Sequence, residues 1–230
     1  MQLTARLEAV KNAVLPCATV LDAGTDHAYV PIALVQQKIC CRAIASDVNR
    51  GPFIRAREHI LENGMSEKIE TRLGSGITVI KPGEVQGVIL AGMGGVLIAQ
   101  LLSEDQTICA SVEQFVLQPM NAPEYLRHFL HKNHFRIAEE YLAEEGEKIY
   151  VILRAEHGEE HYEKECYYHI GKRLFQRYGK QDIFLRYLKK KTDLFRKMLE
   201  GQKKALRQAD SKIAYLENLL EELEELGYDF

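Results

Sequence analysis

Charge of one sign, paired cysteines and long apolar runs are all scarce in this chain of 230 residues. Its 30 Lys+Arg against 33 Asp+Glu give a formal net charge of −3, so no global attraction to nucleic acid is expected. Five cysteines, two of them adjacent (Cys40, Cys41), form no CxxC pair. That argues against a disulfide framework and for a reduced, cytoplasmic setting. His157, His161, Cys166 and His169 lie close in sequence, but their spacing fits no common zinc pattern, so no metal is expected. Arg6, Glu8 and Lys11 interrupt the apolar residues of the N-terminus, which reads as an amphipathic helix and not a signal peptide. Residues 85–102 carry no charge over 18 positions, the lower edge of membrane-spanning length. Gly87, Gly92, Gly94 and Gly95 break that run into strand, glycine turn and helix, so no membrane partner is expected.

What is present is an alternation. Leu3, Leu7, Val10 and Val14 recur at helical spacing. Strands are expected at 19–23, 42–47, 69–73, 85–91 and 114–118, and helices at 31–37, 52–62, 96–102 and 123–131. Asn49 is a candidate cap for the helix at 52–62, and Asn63-Gly64 ends it. Segments 135–141 and 148–154 flank the turn-like Glu144-Glu145-Gly146 and read as a closing hairpin. Repeated βα units imply an α/β fold, a parallel sheet with right-handed crossovers. The hairpin should make one edge strand antiparallel, as in Rossmann-like class I methyltransferases and unlike most nicotinamide-binding sheets.

Residues 157–230 differ in kind from residues 1–156, and the domain boundary is placed between them. From Lys172 to Arg207 there are 13 basic and 3 acidic residues; beyond Arg207, Lys212 stands against seven acids. Leu206, Ile213 and Leu220 sit seven apart, with Ala209, Leu216 and Leu223 between them, a coiled-coil seam. Phe184, Leu188, Phe195 and Leu199 add an apolar stripe upstream. An antiparallel helical hairpin turning between Gly201 and Ser211 is expected, with Asp210 or Ser211 capping the return; one long helix is the alternative.

The chemistry concentrates at Asp22-Ala23-Gly24-Thr25-Asp26-His27-Ala28-Tyr29, after the first strand. A glycine there lets backbone approach a ligand closely. Asp47, ending the next strand, suits ribose hydroxyls; its plainer alternative is an acid at a helix N-terminus. Asp26 and His27 suit the ammonium and carboxylate of a methionine end, whereas a pyrophosphate would find Asp26 repulsive. Gly74-Ser75-Gly76 falls beside the expected adenine position. Gly92 and Met93, within Ala91-Gly92-Met93-Gly94-Gly95, could admit a flat base and pack on adenine, or the glycines could serve only a tight turn. The Asn-Pro-Pro-Tyr motif of exocyclic-amine methylation is absent there.

DAGTDHAYVP, SDVNRGPF, LGSGI, ILAGMGG, LQPMNAPEYLR and EGEKIYVILRAE, in this order, resemble the bacterial tRNA (adenine-22-N1)-methyltransferase family, the TrmK type. The resemblance covers residues 1–156 and extends to the rest only as a helical domain. It implies S-adenosylmethionine as methyl donor and N1 of an adenine in the tRNA D-arm as acceptor. By position it makes Gly24, His27, Asp47, Gly92 and Met93 cofactor residues, and Ser75 stands where such enzymes commonly have Asp. Attack by the N1 lone pair needs alignment more than a strong base. Asp26 is the candidate for stabilising the cationic product and Tyr29 for stacking on the base. Arg186, Lys189, Lys190, Lys191, Arg196 and Lys197 are candidates for tRNA phosphates, or else a solvated helix face. A monomer is expected, with a coiled-coil dimer as the alternative. The rival functions are methylation of another RNA or a small molecule, and a non-catalytic RNA-binding protein with a relic pocket.

Overall fold

A computed structural model of the chain describes residues 2–205 and 210–227, which divide into two compact units, Met1–Glu160 and His161–Phe230. The first unit opens with α1 (Ala5–Ala13) and alternates through β1 (Cys17–Ala23), α2 (Tyr29–Gln36), β2 (Cys40–Asp47), α3 (Arg50–Glu62), β3 (Ile69–Leu73), β4 (Gly87–Met93), α4 (Gly95–Ser103), α5 (Gln106–Ala110), β5 (Gln114–Pro119) and α6 (Pro123–Lys132). It closes on β6 (Phe135–Glu145) and β7 (Lys148–His157).

These strands make one sheet in the order β3-β2-β1-β4-β5-β7-β6. The chain builds outward from β1 to β3, then returns to lay β4 on the other side of β1. That reversal opens a crevice at the carboxyl ends of β1 and β4, the switch point at which open α/β sheets bind ligands. The strand cores are apolar because helices cover the sheet: Val20, Leu21, Val88, Ile89 and Leu90 are all buried. Asp22 pairs in register with Ala45 of β2 and Ile89 of β4, which carries a carboxylate to the rim of that core.

Three expectations need correction. The antiparallel strand is β7, last in the chain, but it lies between β5 and β6; the edge strand β6 runs with the parallel set. Asn49 occupies the cap position of α3 without a side-chain cap bond; its backbone N–H instead donates to Asp47 Oδ1 at 2.7 Å. Helix α5 was not expected; Asp105 caps it, accepting the N–H groups of Thr107 and Ile108 at 2.9 and 3.0 Å.

The second unit is helical among its described residues: α7 (Cys166–Ile170), α8 (Lys172–Tyr178), α9 (Asp182–Lys204) and α10 (Asp210–Glu225). Ala205 is extended, with ψ 144°, so α9 stops there and the single-helix alternative fails. Helices α9 and α10 pack on each other; Phe184, Leu188 and Phe195 of α9 and Leu216, Leu219 and Leu223 of α10 are among the buried residues of the unit. Leu206 and Ala209 of the expected seam, and Arg207 of the basic run, lie outside the described residues.

Candidate cofactor site

The loop after β1 turns sharply because three of its residues adopt left-handed backbone: Gly24 (φ 78°), Asp26 (φ 46°) and Ala28 (φ 56°). Asp tolerates that region; Ala there is strained, and such strain concentrates at ligand sites. The turn is pinned by the N–H groups of Gly24 and Thr25, both donating to the Ser46 carbonyl at 2.8 and 2.9 Å. A Cβ on Gly24 would lie 2.3 Å from Met93 Cε, so the first-strand glycine and the fourth-strand methionine touch.

The crevice holds a cavity of about 310 Å³. Gly24, Asp26, His27 and Tyr29 line it from the loop, Gly92 from β4, Asp22 from β1 and Arg6 from α1. A larger groove of about 600 Å³ between α3 and β3 includes none of the residues singled out above, and its lining lacks the glycine turn and switch point. The smaller cavity is the candidate site.

Within it, Asp22 is 5 % exposed and accepts the Thr25 hydroxyl at 2.6 Å. Burial pushes its carboxyl up to about 6; the Thr25 bond opposes the rise and the neighbouring Asp47 charge adds to it. Asp26 is half-exposed and pairs with Arg55 Nη2 at 2.6 Å, with His27 Nε2 at 3.7 Å. The Tyr29 ring stacks on His27 with centroids 5.2 Å apart and meets the edge of His59 at 4.9 Å. His59 Nδ1 in turn donates to the His27 carbonyl at 2.8 Å.

Asp47, Gly74 and Ser75 form a second cluster, one strand further out. Asp47 is buried at the end of β2, and its carbonyl accepts the Gly74 N–H at 3.0 Å. One oxygen of its carboxylate holds the start of α3, as the plainer reading of this acid expects. Ser75 begins a short 3-10 turn, Gly76–Val79, and its carbonyl accepts the Thr78 hydroxyl at 2.8 Å. Gly94 and Gly95 are explained by packing: a Cβ on Gly95 would fall 2.4 Å from the Ala122 carbonyl oxygen. Gly92, at φ 79° and lining the cavity, is not consumed that way.

Residues missed by sequence reasoning are Asp22 as a buried acid, Thr25 as its donor, and the pair Arg6–Gln118. Gln118 Oε1 accepts both Arg6 Nη1 at 2.8 Å and the Gly92 N–H at 3.1 Å. A link across 112 positions has no local signal.

On α9, about 100° of rotation per residue places Arg186, Lys190 and Lys197 together, opposite the buried stripe of Phe184, Leu188 and Phe195. Lys189 and Arg196 flank them, while Lys191 falls beside the buried stripe. Arg186 pairs with Asp182 at 2.7 Å. The His/Cys group does not converge: His157 Nε2 donates to the Cys109 carbonyl at 3.2 Å, and His169 Nε2 meets the Tyr215 hydroxyl at 2.8 Å. Among the described residues, no group of three or more His, Cys, Asp or Glu is placed to hold a metal ion, and no helix is long and apolar enough to cross a membrane.

Strand order, the closing antiparallel strand and a glycine turn at the end of β1 together define a class I methyltransferase scaffold. Residues 3–153 match the family described as a methyltransferase domain. The Bacillus subtilis tRNA (adenine(22)-N(1))-methyltransferase is 35% identical over 159 residues, 69% of this chain and 67% of that protein. The crystal structure of the B. subtilis m1A22 tRNA methyltransferase TrmK superposes with a TM-score of 0.88 at 29% identity, covering 98% of each chain. A Streptococcus pneumoniae protein crystallised in complex with S-adenosyl-L-methionine gives a TM-score of 0.86 at 31% identity, covering 99% of this chain and all of that one. The chain belongs to the methyltransferase family, as a TrmK-type class I enzyme. The candidate site fits S-adenosylmethionine, the ligand of the S. pneumoniae structure: the missing Gly24 side chain opens the crevice, and acids and a guanidinium line it together.

Proposed function

We propose that the chain transfers the methyl of S-adenosylmethionine to N1 of adenine 22 in the D-arm of tRNA. The observation that carries this reading is the mixed-charge cavity at the β1–β4 switch point, in a chain whose curated relative is named for that adenine. Bound there, the cofactor supplies an electrophilic methyl on a sulfonium. Asp22 and Asp26 attract its ammonium, and Asp47 accepts from the ribose. Gly74 and Ser75 border the adenine, Met93 packs against it, and Gly24 and Gly92 keep both sides open. His27 holds the loop through the Tyr29 stack and the His59 bond.

The target base needs alignment, not deprotonation, because its N1 lone pair is free once unpaired. Tyr29 offers that base a ring to stack on. A half-exposed Asp26 carboxylate favours the cation that forms on methyl transfer. No metal is required by this chemistry. Withdrawing a paired adenine costs a few kcal/mol. Phosphate contacts from Arg186, Lys189, Lys190, Arg196 and Lys197 offset that cost, with Lys191, beside the buried stripe, contributing least. The working division is a catalytic domain at 1–156 and a helical tRNA-gripping domain at 157–230, acting as a cytoplasmic monomer.

The test is methyl transfer to an unmodified tRNA transcript, with the modified nucleotide mapped, alongside a transcript carrying guanine at position 22. Methylation at adenine 22 and none on the guanine transcript is expected. Equal transfer to both transcripts, or cofactor binding without any transfer, refutes the proposal.

A further inference from the structure

We infer that Arg6 is the residue that binds the carboxylate of the cofactor's amino-acid end. This rests on the cavity being the S-adenosylmethionine site. The guanidinium is fixed with no carboxylate of the described residues in ion-pair contact, and its charge acts on Glu145 only at longer range. Its Nη1 donates to Gln118 Oε1 at 2.8 Å, and Gln118 is fully buried and held from the other side by the Gly92 N–H. The Tyr150 ring lies 5.6 Å from the guanidinium carbon and covers one flank. At the foot of α1, the Arg6 backbone N–H donates to Glu145 Oε1 at 2.7 Å. Backbone, head group and flank are therefore all positioned in advance.

A guanidinium carries five N–H donors, and one of them is engaged by that amide oxygen. Among the described residues, no carboxylate comes within 4.0 Å of the group. A positive charge anchored by a neutral partner, in a cavity, is a site for an anion. The other cavity charges say which anion. Asp22 lines the same 310 Å³ space and is buried. A cation and an acid in one small cavity match a zwitterion, and the methionine end of the cofactor is an α-amino acid. His27 is the weaker candidate for the carboxylate, since its ring stacks on Tyr29 and its Nε2 lies 3.7 Å from Asp26. A tRNA phosphate is the weaker ligand for Arg6, because the cavity also carries Asp22 and Asp26, which would repel a phosphate.

The experiment is calorimetric titration of wild type, Arg6→Gln and Arg6→Lys with S-adenosylmethionine and with its decarboxylated analogue. Circular dichroism and thermal melting check that each variant folds. For S-adenosylmethionine, Arg6→Gln should weaken binding about 10- to 100-fold, the range for charge-assisted bidentate bonds. Arg6→Lys should fall between, because a point charge replaces the fork. For the decarboxylated analogue, all three proteins should bind alike, and wild type should bind it more weakly than the intact cofactor. Equal loss for both ligands, or no loss for either, overturns the inference. The same holds if Arg6→Gln weakens only tRNA binding. Failure of wild type to bind S-adenosylmethionine at all instead overturns the reading of the cavity.

Discussion

Replacing Asp22 by Asn should make the protein more stable at neutral pH and a poorer cofactor binder. The Asp22 carboxyl titrates at about 6 in the fold, against an ordinary value of 3.8. The folded state therefore binds more protons than the unfolded chain between these values, and stability falls as pH rises through that window. Above it, the buried charge costs about 3 kcal/mol, at about 1.4 kcal/mol per pKa unit. Asn removes that cost but weakens the Thr25 bond by about 1 kcal/mol, leaving a gain of about 2 kcal/mol at pH 7.5. For a chain of this length the melting temperature should rise by roughly 4–8 °C. At pH 4.5 only about 1 kcal/mol of the cost has developed, so the gain should vanish. Binding of S-adenosylmethionine should weaken about 10-fold or more, since Asn offers its ammonium a dipole and no charge. Calorimetric melting at the two pH values and titration with cofactor read all three. A variant that melts lower at pH 7.5, or whose difference from wild type ignores pH, refutes the reasoning.

Other perturbations follow from the same geometry. Gly24→Ala places a side chain at φ 78° and pushes Met93 aside; a loss of about 1–2 kcal/mol and weaker cofactor binding should appear together in melting and titration. Glu140→Ala deprives Arg127 of a carboxylate 2.8 Å away in a pair that is 0 % exposed at both ends; urea unfolding should show a loss of about 3–5 kcal/mol. Reversing Lys189, Lys190 and Lys191 to Glu should weaken tRNA binding and flatten its salt dependence with cofactor binding intact. Restoring Lys191 alone should recover least, because it lies beside the buried stripe, and filter binding across a salt series measures each case.

The sequence carried the sheet because its signals are local. Val88-Ile89-Leu90 reads as a buried strand wherever it sits, and Gly92 to Gly95 break the helix that an uncharged run would otherwise suggest. Asp105 is equally local, a cap signal before Gln106 that marks the start of α5. Strand position was not legible: nothing within residues 148–157 says that β7 inserts between β5 and β6. The site divides in the same way. Gly24, Asp47 and Met93 stand at strand ends and His27 in the loop after β1, where periodicity and turn chemistry already point. Asp22 belonged to the quoted run, yet its importance comes from burial between β2 and β4, which only register reveals. Arg6 reads as one charge on an amphipathic helix until the fold brings Gln118 beneath it. The partner of Asp26 was hidden for the same reason, since Arg55 lies 29 positions away on α3.

The most direct test of the account is titration of the purified, folded wild-type chain with S-adenosylmethionine, followed by the demethylated product S-adenosylhomocysteine. Saturable heat from one site per chain, competed by the product and lost in a Gly24→Val variant that still melts cooperatively, is the predicted result. A folded wild type that releases no heat with either compound contradicts it.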